Sequence, residues 1–177
     1  MIPRVLTYAQ AINEATDLCM ANDSSVYVMG LGVPDPGGVF GTTLGLQEKY
    51  GEERVMDMPT AENGMTGVAI GSAMAFKLDG TKRTAVAFFG DSGVETGQFW
   101  EAANFAVLHQ LPIMFICENN LYATSTHIHD RQPTSPIFER VKGFMWSSEV
   151  DDGDVAAVWD AANECKAGQP GFLEIAT

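Results

Sequence analysis

Residues 112 to 119, PIMFICEN, are apolar almost without a break. A strand with one face in water carries polar residues at every second position, so an unbroken run of this kind suits a strand buried on both faces. Strands of that type belong to parallel sheets with helices on either side. The rest of the chain fits this pattern, because helix-period and strand-period segments alternate along it. Tyr8, Ala11, Ile12, Ala15, Leu18 and Cys19 recur at helical spacing, and SVYVMG then reads as a short strand closed by glycine. GLGVPDPGGVFGTT is loop chemistry, LGLQEKYG a short helix stopped by Gly51, RVMDMP a strand, and ENGMTGVAIGSAMAF a helix rich in small residues. TAVAFFGD is a strand, GQFWEAANFAVLHQ a helix, MWSSEV a strand, DVAAVWDAANECKAG a helix stopped by Gly168 and Pro170, and FLEIAT a last strand. The expectation is an α/β protein with a single three-layer domain over residues 1–177. A polar segment over about 121–143 reads as a solvated loop.

Composition excludes several functions. The net charge of −13 repels nucleic-acid backbones and anionic lipid, so no nucleic-acid partner is expected. The longest weakly apolar run, GVAIGSAMAF, is too short and too broken by glycine to span a bilayer, and no membrane partner is expected. Cys19, Cys117 and Cys165 are odd in number and show no Cys-x-x-Cys spacing, which suggests a cytoplasmic protein without disulfides or zinc.

In a parallel sheet ligands gather at the carboxyl ends of the strands. Asp91, after the strand that ends at Gly90, and the pair Asn119 and Asn120, after the next strand, both fall there. One βαβ crossover separates them. A carboxylate and an amide oxygen are hard ligands suited to Mg²⁺ or Ca²⁺, and a helix beginning near Gly97 points backbone N–H groups at the same edge. Taken singly, Asp91 reads better as a helix cap and Asn120 as a turn residue.

The stretch GDSGVETGQFWEAANFAVLHQLPIMFICENNLY resembles, without a gap, the thiamine-diphosphate motif in the alpha subunit of the first component of 2-oxo acid dehydrogenases, the pyruvate dehydrogenase type. Similarity continues through VDDGDVAAVWDAA and FLEIAT. The resemblance implies a thiamine-diphosphate-binding fold in which Gly90, Asp91, Ser92, Gly93, Asn120 and Tyr122 bind the cofactor. It also implies that Mg²⁺ is held by Asp91, Asn120 and the backbone carbonyl of Tyr122. Ser92 stands where the family usually has glycine. VMGLGVPDPGGVFGTTLGLQEKYGEERVMDMPTAENGMTGVAIGSAMA is instead similar to the start of the beta subunit of the same enzymes, the pyrimidine-binding part. There Glu62, in the AENG position, would share a proton with the aminopyrimidine ring and be the catalytic residue. Residues 1–70 are thus the pyrimidine-domain-like part and 71–177 the diphosphate-domain-like part of one domain, as though two subunits had been spliced.

The expected function is thiamine diphosphate and Mg²⁺ binding in a 2-oxo acid dehydrogenase. The expected partners are a second copy of the chain, in a homodimer or larger assembly, or a 2-oxo acid dehydrogenase subunit. Two copies facing each other would pair Glu62 of one with Asp91 and Asn120 of the other. The alternatives are a relic that binds cofactor without turnover and a nucleotide-binding Rossmann domain, since GLGVPDPGG begins like a dinucleotide fingerprint. His127, His129 and Arg131 are candidates for phosphate or intermediate contacts but read better as parts of the solvated loop.

Overall fold

The structure, a computed structural model, describes residues 5–35, 40–59, 61–133, 136–151, 154–164 and 168–177. Part of GLGVPDPGG and Cys165 lie outside the described residues. Contacts divide the chain into two compact units, Met1–Glu62 and Asn63–Thr177.

The first unit contains helix α1 (Tyr8–Asn22), strand β1 (Val28–Gly30), helix α2 (Leu46–Tyr50) and strand β2 (Val55–Asp57). A capping box between Thr7 and Gln10 opens α1. Gly51 closes α2 at φ 83°, a left-handed conformation that favours glycine. Strands β1 and β2 pair in parallel with Val28 opposite Val55. Their small core is Met20, Val33, Leu46 and Val55. The Arg54 guanidinium fastens it by donating to the carbonyls of Met20, Asp23 and Val26, which satisfies acceptors left over at the end of α1.

The second unit begins within helix α3 (Glu62–Leu78) and continues through strand β3 (Ala85–Gly90), helix α4 (Gly97–Leu108), strand β4 (Ile113–Asn119), the short strands β5 (Tyr122–Ala123) and β6 (Thr126–His127), helix α5 (Ile137–Val141), strand β7 (Trp146–Asp151), helix α6 (Val155–Glu164) and strand β8 (Gly171–Ala176). Strands β3, β4, β8 and β7 form a parallel sheet in that order. PIMFICEN supplies β4, a central strand, as its apolar run requires. Alternation divides the side chains between two faces. Met114, Ile116, Leu173 and Ile175 pack with Ala161 of α6 on one face. Phe115 and Phe172 meet Phe99 of α4 on the other, with ring centroids 5.6 and 5.8 Å apart. The unit therefore has three layers.

Among the described residues β1 and β2 form their own two-stranded ladder. One feature differs from the sequence reading. The polar segment is built rather than merely solvated: β5 and β6 make an antiparallel hairpin, and α5 buries Ile137 and Val141 completely. Apolar anchors four residues apart on one helical turn give this segment a core contact that its polar composition masks.

This packing has two measurable consequences. Phe99 is buried at the meeting point of four aromatic rings, so Phe99→Ala should cost the second unit about 3–5 kcal/mol in denaturant unfolding. Glu149 lies opposite Glu174 across β7 and β8, and partial burial followed by the Glu174 charge raises its carboxyl above the usual range. A carboxyl that binds its proton more tightly when folded destabilises the fold once ionised. The penalty is complete above the raised pKa and vanishes below the ordinary glutamate range. Glu149→Gln should thus raise the melting temperature at pH 7 and lose that advantage as the pH falls through the glutamate range.

Candidate diphosphate and metal site

Strand β3 runs out at Gly90, whose register partner is Glu118, so Asp91 arrives beside the end of β4. The crossover inferred from the sequence thus brings Asp91 and Asn119 to the same edge. Asp91 opens a 3-10 turn, Asp91–Glu95, and its side chain is 2% exposed. This turn packs against the ends of β3 and β4 and against β5, which begins with Tyr122. Gly93 within it is closely packed: a Cβ there would meet the Phe89 side chain at 3.1 to 3.3 Å and oblige it to shift by a few tenths of an ångström. Thr96 then caps α4, accepting from the Phe99 N–H while its hydroxyl donates to the Gly93 carbonyl at 2.9 Å. At Gly90 and Gly97 no such crowding exists.

The turn after β4 is held by side-chain amides. Asn119 Oδ1 accepts from the Leu121 N–H at 3.0 Å and Asn120 Oδ1 from the Tyr122 N–H at 2.9 Å. Leu121 sits between them at φ 67°, a left-handed conformation that costs a branched residue energy and persists only when its surroundings fix it. What fixes it is Glu174, a carboxylate on β8 that is 1% exposed. One of its oxygens accepts from Asn119 Nδ2 at 2.7 Å and the other from the Phe138 N–H at 2.8 Å. Glu174 therefore joins the Asn119–Tyr122 turn to the start of α5. The same environment acts on Cys117, its register partner: burial, followed by the charges of Glu174 and Asp91, pushes the Cys117 thiol far up.

The polar segment returns to Asp91. Arg131, whose side chain is 10% exposed, forks between two carboxylates, one nitrogen on Asp91 and another on Glu95. Its Nε donates to the Thr126 carbonyl at 3.0 Å. Hydrogen bonding to Asp91 and the two negative charges raise the already high Arg131 pKa further. Gln132 donates to the Asp91 carbonyl and to Glu95, both at 2.8 Å, and accepts from Arg140. Arg140 Nε is buried with no hydrogen-bond partner among the described residues.

Asp91, Asn120 and Tyr122 are brought to one sheet edge, with Gly90, Ser92 and Gly93 in or beside the same turn. Glu62 begins α3, but its side chain lies outside the described residues. The His127 ring meets Tyr122 edge-on with centroids 5.0 Å apart and lies tilted against the His129 ring at 4.7 Å. Arg131 is a correction: it is a buried ion-pair partner and not part of a solvated loop. The sequence reading missed Glu95, Gln132, Arg140 and Glu174 altogether. One signal was present for Glu174, a lone carboxylate inside the apolar strand FLEIAT.

Among the described residues no group of three or more His, Cys, Asp or Glu side chains is placed to hold a metal ion. A set of one carboxylate, one amide oxygen and one backbone carbonyl is of a different kind. As hard oxygens, Asp91, Asn120 and Tyr122 fit Mg²⁺ in chemistry and in their common position at the edge. The Arg131 pairing must give way for Asp91 to serve.

The profile of the family described as Dehydrogenase E1 component matches residues 41–170. The chain belongs to the dehydrogenase E1 component family. Its E1 relatives are of two kinds, as the beta-like and alpha-like halves of the sequence suggest. It is 53% identical over 70 residues to the beta subunit of 2-oxoisovalerate dehydrogenase from Bacillus subtilis, a match covering 40% of this chain and 21% of that protein. It is 36% identical over 124 residues to the testis-specific pyruvate dehydrogenase E1 alpha subunit of Homo sapiens, covering 65% of this chain and 32% of that protein. Over 153 residues it is 32% identical to the alpha subunit of acetoin:2,6-dichlorophenolindophenol oxidoreductase of Bacillus subtilis, with 78% of this chain and 46% of the relative covered. The chain thus spans less than half the length of these relatives. The fold is shared with a solved structure from Mycobacterium smegmatis described as a thiamin diphosphate-dependent enzyme, at a TM-score of 0.62 and 20% identity over 97% of this chain and 32% of that one. Among the described residues no helix is long and apolar enough to cross a membrane.

The Glu174 linkage has a measurable consequence. Glu174→Leu would leave the Asn119 amide and the Phe138 N–H buried without acceptors, and should destabilise the second unit by about 1–3 kcal/mol for each group so exposed. Glu174→Gln, which keeps one acceptor, should cost less in the same unfolding experiment.

Proposed function

We propose that this E1-family chain binds thiamine diphosphate through Mg²⁺ and works in a 2-oxo acid dehydrogenase. The observation that supports this most is the meeting of Asp91 with the Asn120–Tyr122 turn at one edge of a parallel sheet, inside the span matched by the family profile. Asp91, Asn120 and the Tyr122 carbonyl would hold the metal. Gly90, Ser92 and Gly93 would line the diphosphate, with the N-terminal end of α4 adding N–H donors. A chain with a charge of −13 needs that metal, because its field otherwise repels a diphosphate. When bound, thiamine diphosphate supplies a nucleophilic carbon and an electron sink for decarboxylating a 2-oxo acid. Glu62 would exchange a proton with the aminopyrimidine ring.

In this proposal residues 1–70 and 71–177 are the pyrimidine-like and diphosphate-like parts of one domain, and a homodimer or a dehydrogenase subunit completes the site. Two features support a partner. Val86 and Phe88 on the edge strand β3 are 48% and 63% exposed, and Gly67 and Gly71 leave one face of α3 open. Cys19 and Cys117 are free thiols, in keeping with a reducing cytoplasm. The other reading carried over from the sequence is cofactor binding without turnover. Single-turnover decarboxylation of pyruvate and branched-chain 2-oxo acids separates the two.

Titration calorimetry tests the site directly. Asp91→Ala should abolish Mg²⁺-dependent thiamine diphosphate binding at millimolar cofactor and, having lost the Arg131 contact, loosen the segment beyond Tyr122; Asp91→Asn, which keeps an acceptor for Arg131, should lose the same binding with the circular dichroism spectrum unchanged. Glu62→Gln should bind nearly as well as the native chain and slow exchange of the thiazolium proton seen by NMR. Equal binding by native protein and Asp91→Ala would remove the metal role of Asp91.

A further inference from the structure

Asp91 is a buried carboxylate that already has a cation. The Arg131 guanidinium spans Asp91 and Glu95 with separate nitrogens, and its third donor is fixed on the Thr126 carbonyl. Gln132 bonds to Glu95 and to the backbone of Asp91, so both carboxylates and the Arg131 segment form one connected group. Burying Asp91 without such a partner would be costly. Yet an ion pair at that carboxylate and a divalent cation at the same carboxylate exclude one another in part, since each demands the near approach of positive charge.

We propose that Arg131 is the resident counter-ion of Asp91, and that a divalent cation loads the site by exchange, displacing the guanidinium from Asp91 while Glu95 retains it. This rests on the reading of Asp91 as a metal ligand. The fork geometry makes the exchange local, because Glu95 already holds its own nitrogen of Arg131 and no new partner has to be found. The charge count favours it when a diphosphate is to bind next. Asp91, Glu95 and Arg131 together carry one net negative charge, and adding a dication turns this to one net positive charge with Arg131 still at hand. Metal affinity is therefore set below what the oxygen ligands alone would give. The difference is the strength of the Arg131–Asp91 contact.

The test uses Mn²⁺ alone, counted by the loss of its free-ion electron paramagnetic resonance signal, together with the melting temperature of the full chain. Arg131→Met removes the competitor and keeps the bulk. It should bind Mn²⁺ about tenfold more tightly than the native chain, the scale of one charge-assisted hydrogen bond. Arg131→Lys, a point charge that reaches one carboxylate at a time, should fall between them. Should Arg131→Met be unstable without metal, Mn²⁺ must raise its melting temperature more than it raises that of the native chain. Equal or weaker Mn²⁺ binding by Arg131→Met, or an equal or smaller melting shift, overturns the exchange while native Mn²⁺ binding keeps the metal site. Absence of Mn²⁺ binding in the native chain and both variants overturns the metal reading and the exchange together.

Discussion

A carboxylate left at the end of a buried parallel strand has to be neutralised by something, and Asp91 is that carboxylate. Its 2% exposure removes water as the solution. The chain meets the need with Arg131, brought back from forty residues further on, and this one pairing explains why the segment beyond Tyr122 folds against the sheet edge. Around it the Thr126 carbonyl and Glu95 accept from the other Arg131 donors and Gln132 donates to Glu95, so that a segment of polar composition acquires fixed structure without a large apolar core.

A second buried carboxylate, Glu174 on β8 of the same sheet, does corresponding work. It ties the Asn119 amide to the N–H at the start of α5 and so supports the left-handed Leu121 between the two asparagine turns. The two anions divide the labour. Glu174 shapes the turn that carries Asn120 and Tyr122, and Asp91 anchors the segment that carries Arg131 and Gln132. Neither contact is a metal contact. In the proposed site both would set where the oxygen ligands stand, at the carboxyl ends of the parallel strands.

Much of this was legible in the sequence because it depends on local signals. Continuous apolar runs located β4 and β8, the glycine stop at Gly51 located the end of α2, and the strand-end position of Asp91 and Asn120 placed both at one edge. The roles of Arg131, Glu95, Gln132 and Glu174 were not legible, because pairings between residues 36 to 55 positions apart leave no period to read. Polar composition over 121–143 suggested solvent, when the polar groups were in fact satisfying each other. In the first unit the strands are three residues long, too short for their pattern to say which ladder they join, and they form their own.

Under the proposed function Asp91 is a cation site held ready by a protein cation. Crystals of the full chain grown with Mn²⁺ and thiamine diphosphate, with the anomalous signal of manganese recorded, test it most directly. The account predicts a manganese peak at coordination distance from the Asp91 carboxylate and the Asn120 amide oxygen, with Arg131 on Glu95. A peak elsewhere, or density that keeps Arg131 on Asp91 beside bound cofactor, would contradict it.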